Sequence, residues 1–288
     1  MLFVLGALFL LVCGMVAWLS LPALQGWLAS NKVGIVEIRG VIRDSRPFLE
    51  QLARFRGESS VRAVVLRIES PGGGVGPSQE IYREVRRTAE RKPVVASLGG
   101  IAASGGYYAA CGAHRILASP GTVTGSIGVL APFPDFRGLF EKIGYGKTVI
   151  KSGRFKDLGD PGREMTPEEK RLVQEMVETV HRQFMEDVAK GRKLSLEEVK
   201  SVADGRIMAG ETALENKLVD ELGNFRDAVG VAARLGGVEG EPVLVYGEER
   251  GFSLLGFLFG KRWKDELGSR WESWAPVPRY RPPSFLGR

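Results

Sequence analysis

Cysteine and histidine are scarce, with two of each among 288 residues. Cys13 lies in an apolar segment and Cys111 in the polar remainder, so no disulfide framework can form, and the spacing fits no metal site. Val12 is bulkier than the small residue that lipid attachment at Cys13 would need. A histidine-based triad has only His114 and His181 to draw on. His114 falls at the start of a strand and is expected to point away from any site built after the preceding one. His181 sits inside a long helical pattern and reads as a structural residue. Charge of one sign is lacking too: 40 basic against 34 acidic side chains give +6, with the basic residues dispersed. That argues against a nucleic-acid partner.

Charge is absent altogether before Lys32. The run from Met1 to Ala29 exceeds the roughly 20 apolar residues that a helix needs to cross a bilayer. It has no charged leader and no small-x-small cleavage site, which disfavours a removed signal peptide. Residues 1–30 are therefore expected to form a transmembrane anchor in contact with membrane lipid. Trp18 and Trp27 suit its interfaces, and Pro22 marks a kink or its end. By the positive-inside tendency, Lys32, Arg39 and Arg43 after the span favour a cytoplasmic domain.

Beyond Lys32 the chain is rich in alternating strand and helix patterns. VGIVEIRGVI (Val33–Ile42) and VRAVVLRIES (Val61–Ser70) read as strands, the second buried on both faces. PSQEIYREVRRTAERK has helical periodicity. PVVASLGG is a third strand, SGGYYAACG a short helix stopped by Gly112, and HRILASP a fourth strand. A helix near DFRGLFEKIG and a strand KTVIKSG come next, then a long helix over about Pro167–Gly191. Ser195 with Glu198 forms a capping box. Alternating strands and helices predict an α/β domain with a mainly parallel sheet, whose ligands bind where strands end. Two glycine-rich loops stand there, ESPGGGVG and GGIAASGG. The division expected is an anchor (1–30), a catalytic domain (31–250) and an aromatic, basic tail (251–288). In that tail GFSLLGFLFGKRW is too short to span a bilayer; it suits an interfacial segment or a packed terminal helix.

Ser104 sits among residues so small that a substrate backbone could come close. A serine hydroxyl is a weak nucleophile and needs a base. Lysine can serve only when neutral, a state held by about one lysine in 2,500 at pH 7 and an unperturbed pKa, and burial raises that fraction. Lys156, in KSGRFKDLGDP, is one candidate among many lysines, and spacing alone reads it as a solvated loop residue. SPGGG (Ser70–Gly74) is suited to an oxyanion hole, with Gly73 and Gly74 as donors and Gly105, at a helix start, as a third. The loop has neither the lysine of a P-loop nor the spacing of a dinucleotide fingerprint. No metal and no cofactor are expected.

Four blocks in order, ESPGGGVG, GGIAASGGYYAACGAHRILASPGTVTGSIGV, KSGRFKDLGDPGREMTPEE and GRIMAGETALENKLVDELG, resemble the signal peptide peptidase A family in its short, single-domain form. The resemblance runs from about Val33 to Leu235. It implies a Clp protease/crotonase-like fold and a Ser–Lys dyad: Ser104 as nucleophile, Lys156 as general base, and Ser126 in TGSIG orienting the lysine. Where the Clp subunit carries its histidine, this chain has Val129 and Leu130. The resemblance further implies a catalytic domain outside the cytoplasmic membrane, against the charge tendency above. It also implies a homo-oligomer whose serine and lysine meet across a subunit boundary, and remnant signal peptides as substrates. Rival readings are a crotonase-like acyl-CoA enzyme, an inactive scaffold, and a membrane serine protease linked to stomatin-like partners. Cys111 is expected to be inert packing, and Tyr107 and Tyr108 core residues rather than catalysts.

Overall fold

In a computed structural model the described residues are 31–247, with Met15 alone before them. The expected anchor and tail lie outside them. Among the described residues no helix is long and apolar enough to cross a membrane.

The chain opens with β1 (Lys32–Arg39), α1 (Arg46–Gly57), β2 (Val61–Ser70), α2 (Val75–Ala89), β3 (Val94–Ala103) and α3 (Gly105–Ala110). It continues with β4 (Arg115–Ala118), β5 (Val123–Gly125), α4 (Arg137–Lys142), α5 (Pro167–Arg192) and α6 (Leu196–Lys200). It closes with β6 (Ile207–Ala209), α7 (Gly210–Glu215), β7 (Glu221–Leu222), α8 (Phe225–Leu235) and β8 (Val243–Tyr246). The strands form one sheet in the order β6-β5-β3-β2-β1-β8, with β4 also on β3 and β7 on β4. Every pairing is parallel except β5 with β6. This mixed sheet with flanking helices fits the Clp/crotonase-like arrangement.

Side chains alternate across a strand, and the central strands bury both faces as parallel sheets do. On one face Val36, Ile38, Leu66, Ile68 and Leu98 meet Leu52 and Phe55 of α1, Ile81 of α2 and Tyr107 of α3. On the other, Val33, Ile35, Val65 and Val95 meet Ala228 and Ala232 of α8. β3 is shared by two neighbours along its length. Val95–Leu98 pair with β4, and Ile101–Ala103 pair with β5. This division brings β5 beside the end of β3, where the site forms.

One expected element is missing: KTVIKSG is not a strand. Residues 147–151 carry no regular structure, and Ile150 is 96% exposed. A strand needs a partner for its ladder, and among the described residues none pairs with this segment. In the opposite sense, α1 was not anticipated. Pro47 lies in its first turn, where a missing N–H costs nothing, and Leu52 and Phe55 bury its one apolar stripe.

Leu66 is fully buried. Leu66→Ala is expected to cost about 2–5 kcal/mol of unfolding free energy, whereas Ile207→Ala, at an edge position 65% exposed, is expected to stay within about 0.5 kcal/mol. Urea denaturation of the two variants checks both.

Candidate active site

Ser104 stands between the last residue of β3 and the first of α3, with φ 52° and ψ −120°. Positive φ strains any residue with a Cβ, by about 1–3 kcal/mol, so neighbouring structure must hold it. The Ser104 N–H donates to Gly125 O at 2.9 Å, and its carbonyl accepts from Tyr108 N–H at 2.9 Å. The hydroxyl is thus carried half-buried on a sharp strand-to-helix turn.

The glycine loop lies directly against this turn. A Cβ on Gly72, whose φ is +105°, would sit 2.8 Å from both Ser104 Cβ and Gly105 N. Only glycine satisfies that conformation and that approach. The far side of the loop is tied to Ile42, whose N–H donates to Gly72 O at 2.9 Å while its carbonyl accepts Gly74 N–H at 2.8 Å. This corrects one expectation: the Gly74 N–H is committed to Ile42 and cannot serve an oxyanion. Among the described residues the N–H groups of Gly73 and Gly105 donate to no acceptor. They are also close, since a Cβ on Gly105 would lie 3.3 Å from Gly73 N.

Ser126 comes next to Ser104. The parallel register pairs Ala103 with Gly125, so the next residue on each strand is a serine. Ser126 shares the strained backbone, at φ 52°, and its N–H donates to Arg206 O at 2.7 Å. Gly125 carries the decisive carbonyl, and no local sequence signal marks it, because β5 is only three residues long.

Among the described residues Lys156 makes no side-chain hydrogen bond to either serine. It lies exposed in a turn, and among the described residues its side chain has no hydrogen-bond or ion-pair partner. The turn itself is stapled by Arg163. Its Nε donates to the Asp157 carboxylate at 3.0 Å, its guanidinium also reaches Asp157 O at 3.0 Å, and it forks onto Glu169. Lys151 adds an ion pair to Asp157, and Arg154 one to Glu168. The hydrogen bonds from Arg163 and Lys151 hold the Asp157 carboxyl well below the usual range. Arg163, with help from Thr166 N–H, pulls Glu169 down to about 2.

Neither histidine hydrogen-bonds Ser104 among the described residues. His114 Nδ1 accepts Val94 N–H at 3.1 Å, which leaves the ring proton on Nε2. Val94 begins the ten-residue β3 that ends next to Ser104, a separation of about 30 Å at roughly 3.3 Å per residue. His181 Nε2 is buried on α5 without a partner among the described residues. Cys111 is fully buried, and burial pushes its thiol up to about 12, so it carries no thiolate. Tyr107 is buried with its hydroxyl donating to Leu218 O at 2.8 Å, and Tyr108 stacks on Phe184 and donates to Asp187 at 2.7 Å. Both are packing residues, as expected. No group of three or more potential metal ligands occurs among the described residues.

A family model described as peptidase family S49 matches residues 86–239, a span that holds Ser104, Ser126 and Lys156. The chain belongs to peptidase family S49. A Synechocystis protein whose given name proposes a protease is 43% identical over 214 residues, 74% of this chain and 77% of that protein. The chloroplastic serine protease SPPA of Arabidopsis thaliana is 36% identical over 185 residues, 64% of this chain but 27% of its own length. Protease 4 of Haemophilus influenzae is 34% identical over 228 residues, 74% of this chain and 36% of its own length. The S49 chain is thus a serine-type peptidase, and it spans about a third or less of the two longer relatives.

The Glu169 carboxyl, held at about 2 when folded, lies below its unfolded value near 4.3. Its contribution is therefore complete above about pH 4.3 and is lost as pH falls towards 2. Hydrogen exchange at residues 154–163 of this peptidase is expected to accelerate over that window relative to β2, and Glu169→Gln is expected to weaken that dependence, leaving the part set by Asp157.

Proposed function

We propose that this S49 peptidase is a membrane-anchored endopeptidase with a Ser–Lys dyad that degrades small apolar peptides, cleaved signal peptides among them. The observation that carries the reading is the strained Ser104 turn, packed against a glycine loop with two uncommitted N–H groups. In this reading the neutral Lys156 amine takes the proton from Ser104 Oγ as the oxygen attacks the scissile carbonyl. Gly73 and Gly105 N–H receive the developing oxyanion. The lysine then returns the proton to the leaving amine, and the acyl group stays on Ser104. Water, deprotonated by the same amine, releases the acid and restores the hydroxyl. Ser126, which follows Gly125 as Ser104 follows Ala103, orients the amine.

The lysine reaches its serine in a second copy of the chain. This is supported by an exposed Lys156 without a side-chain partner among the described residues. It is supported too by apolar side chains of the same segment between β5 and α5 that face solvent, with Leu130 at 82% and Ile143 at 64% exposure. The uncharged run before Lys32 supports an anchor, with the catalytic domain outside the cytoplasmic membrane as in the family that the motifs resemble.

Ser104→Ala is expected to abolish cleavage of an apolar peptide and labelling by a fluorophosphonate. Lys156→Ala is expected to lower kcat/KM at least about 100-fold, with the oligomer retained. Wild-type kcat/KM should rise with pH, because the base is the deprotonated amine. Mixing the two inactive variants should restore activity, since some junctions then combine an intact serine with an intact lysine. Lys156→Ala keeping more than about a tenth of the rate, a loss under roughly 1.4 kcal/mol, would remove Lys156 from the mechanism. Mixtures without activity would place both groups in one chain.

A further inference from the structure

We infer that Ser70 is a positioning residue that sets the oxyanion-binding shape of the glycine loop. The inference rests on the peptidase reading and names a group which that reading leaves without a role. Ser70 ends β2 and is fully buried. Its Oγ accepts the Gly72 N–H at 3.1 Å. A serine oxygen capturing the N–H two residues on is a turn-forming device. Here it works inside the core, where an unpartnered N–H or hydroxyl costs far more than at the surface.

The geometry gives that bond a direct consequence at Ser104. The peptide between Pro71 and Gly72 is fixed by Ser70 Oγ on its N–H. The peptide between Gly72 and Gly73 is fixed by Ile42 N–H on its carbonyl, at 2.9 Å. In a trans peptide the N–H points opposite to the carbonyl, and no cis bond occurs here. The Gly73 N–H is therefore aimed away from Ile42 and left for a ligand. Both ties are needed to hold Gly72 at φ +105°, since glycine by itself has no preference for that value.

Two further contacts place Ser70 beneath the nucleophile's own turn. A Cβ on Gly106 would come 3.0 Å from Ser70 O and 3.3 Å from Ser70 Cβ. On the other flank of the loop Ser78, 1% exposed, donates its hydroxyl to Gly74 O at 2.8 Å. Its Oγ would collide with a Cβ on Gly105. The loop is thus clamped by a buried hydroxyl on either side, with Gly73 between them. Ser70 holds the peptide before the donor through Gly72 N–H and, by its own hydroxyl on Gly72 O at 3.4 Å, the donor's own peptide, whereas Ser78 holds the peptide two beyond it, so Ser70 has the greater hold on the Gly73 N–H.

The test compares full-length wild type with Ser70→Ala in detergent on an apolar reporter peptide. It adds inhibition by a peptide aldehyde, whose adduct with serine carries an oxyanion, and by the matching peptide alcohol, which binds without forming one. Ser70→Ala is expected to lower kcat by about 10–1,000-fold, the scale on which oxyanion donors act, with KM within about threefold. The aldehyde should lose at least tenfold in affinity, and the alcohol should be unaffected. Equal losses for aldehyde and alcohol, or a kcat above half of wild type, would overturn the inference and leave Ser70 a packing residue. If Ser70→Ala does not fold, Ser70→Cys, which fills the site with a poor acceptor, reads the same ratio. Ser104→Ala run in parallel separates the two levels. If that variant retains cleavage, the peptidase reading itself fails. If it is inactive and Ser70→Ala is not impaired, only the role of Ser70 fails.

Discussion

The structure depends on one close approach, the backbone of the glycine loop against the turn that carries Ser104. A side chain on Gly72 would stand 2.8 Å from Ser104 Cβ, so the two segments touch with nothing between them. Neither can hold that position alone. Ser104 is strained at positive φ, and Gly72 is in a conformation without local preference. Each is pinned from outside, Ser104 by the carbonyl of Gly125 and the loop by Ile42. Strain stored at a site persists only when its surroundings over-determine it, and here the segments at Gly125 and Ile42 supply that.

The sheet makes such pinning possible. β1, β2 and β3 run parallel, so Gly40, Ser70 and Ser104 leave the sheet at one end. Their faces are buried against helices on both sides, and a close-packed interior transmits little play to what it carries. The residues at the ends of these strands are therefore delivered with the rigidity of a core, although they lie at its rim. Gly40 N–H donates to Glu69 O at 2.8 Å, which extends the ladder to the point where the chain turns towards Ile42.

The segment bearing Lys156 is built on different physics. Between β5 and α5 the chain makes no strand and buries few apolar groups, and charge-assisted bonds around Arg163, Asp157 and Glu169 hold it to the start of α5. Glu169 serves twice, accepting from Arg163 and closing the capping box with Thr166. A guanidinium fork matches a carboxylate in a way that lysine cannot, which accounts for arginine at 163. The result is an arm whose apolar side chains Leu130, Ile143 and Ile150 still face outward.

The long strands and the helices that pack on them were legible because an apolar β-branched run or a 3.6-residue period is a local property. Ser104 was legible for a similar reason: small residues on both sides of one hydroxyl leave room for a backbone to approach it. The capping box at Ser195 and Glu198 needed only four consecutive residues, and it is present. What only the tertiary structure decided depends on residues far apart in the chain. β5 and β7 are too short to show a period, and they exist because β3 and β4 offer them an edge. The Gly74 N–H looked as available as that of Gly73, and it is not, because Ile42 lies beside it. Gly125 carries no mark of its own and matters because the register of two strands sets its carbonyl over the Ser104 amide. The motif names Lys156, but its place relative to Ser104 belongs to the arm. Local pattern fixes which residues can be strand, helix or nucleophile; which N–H stays uncommitted is fixed by neighbours that only folding brings near.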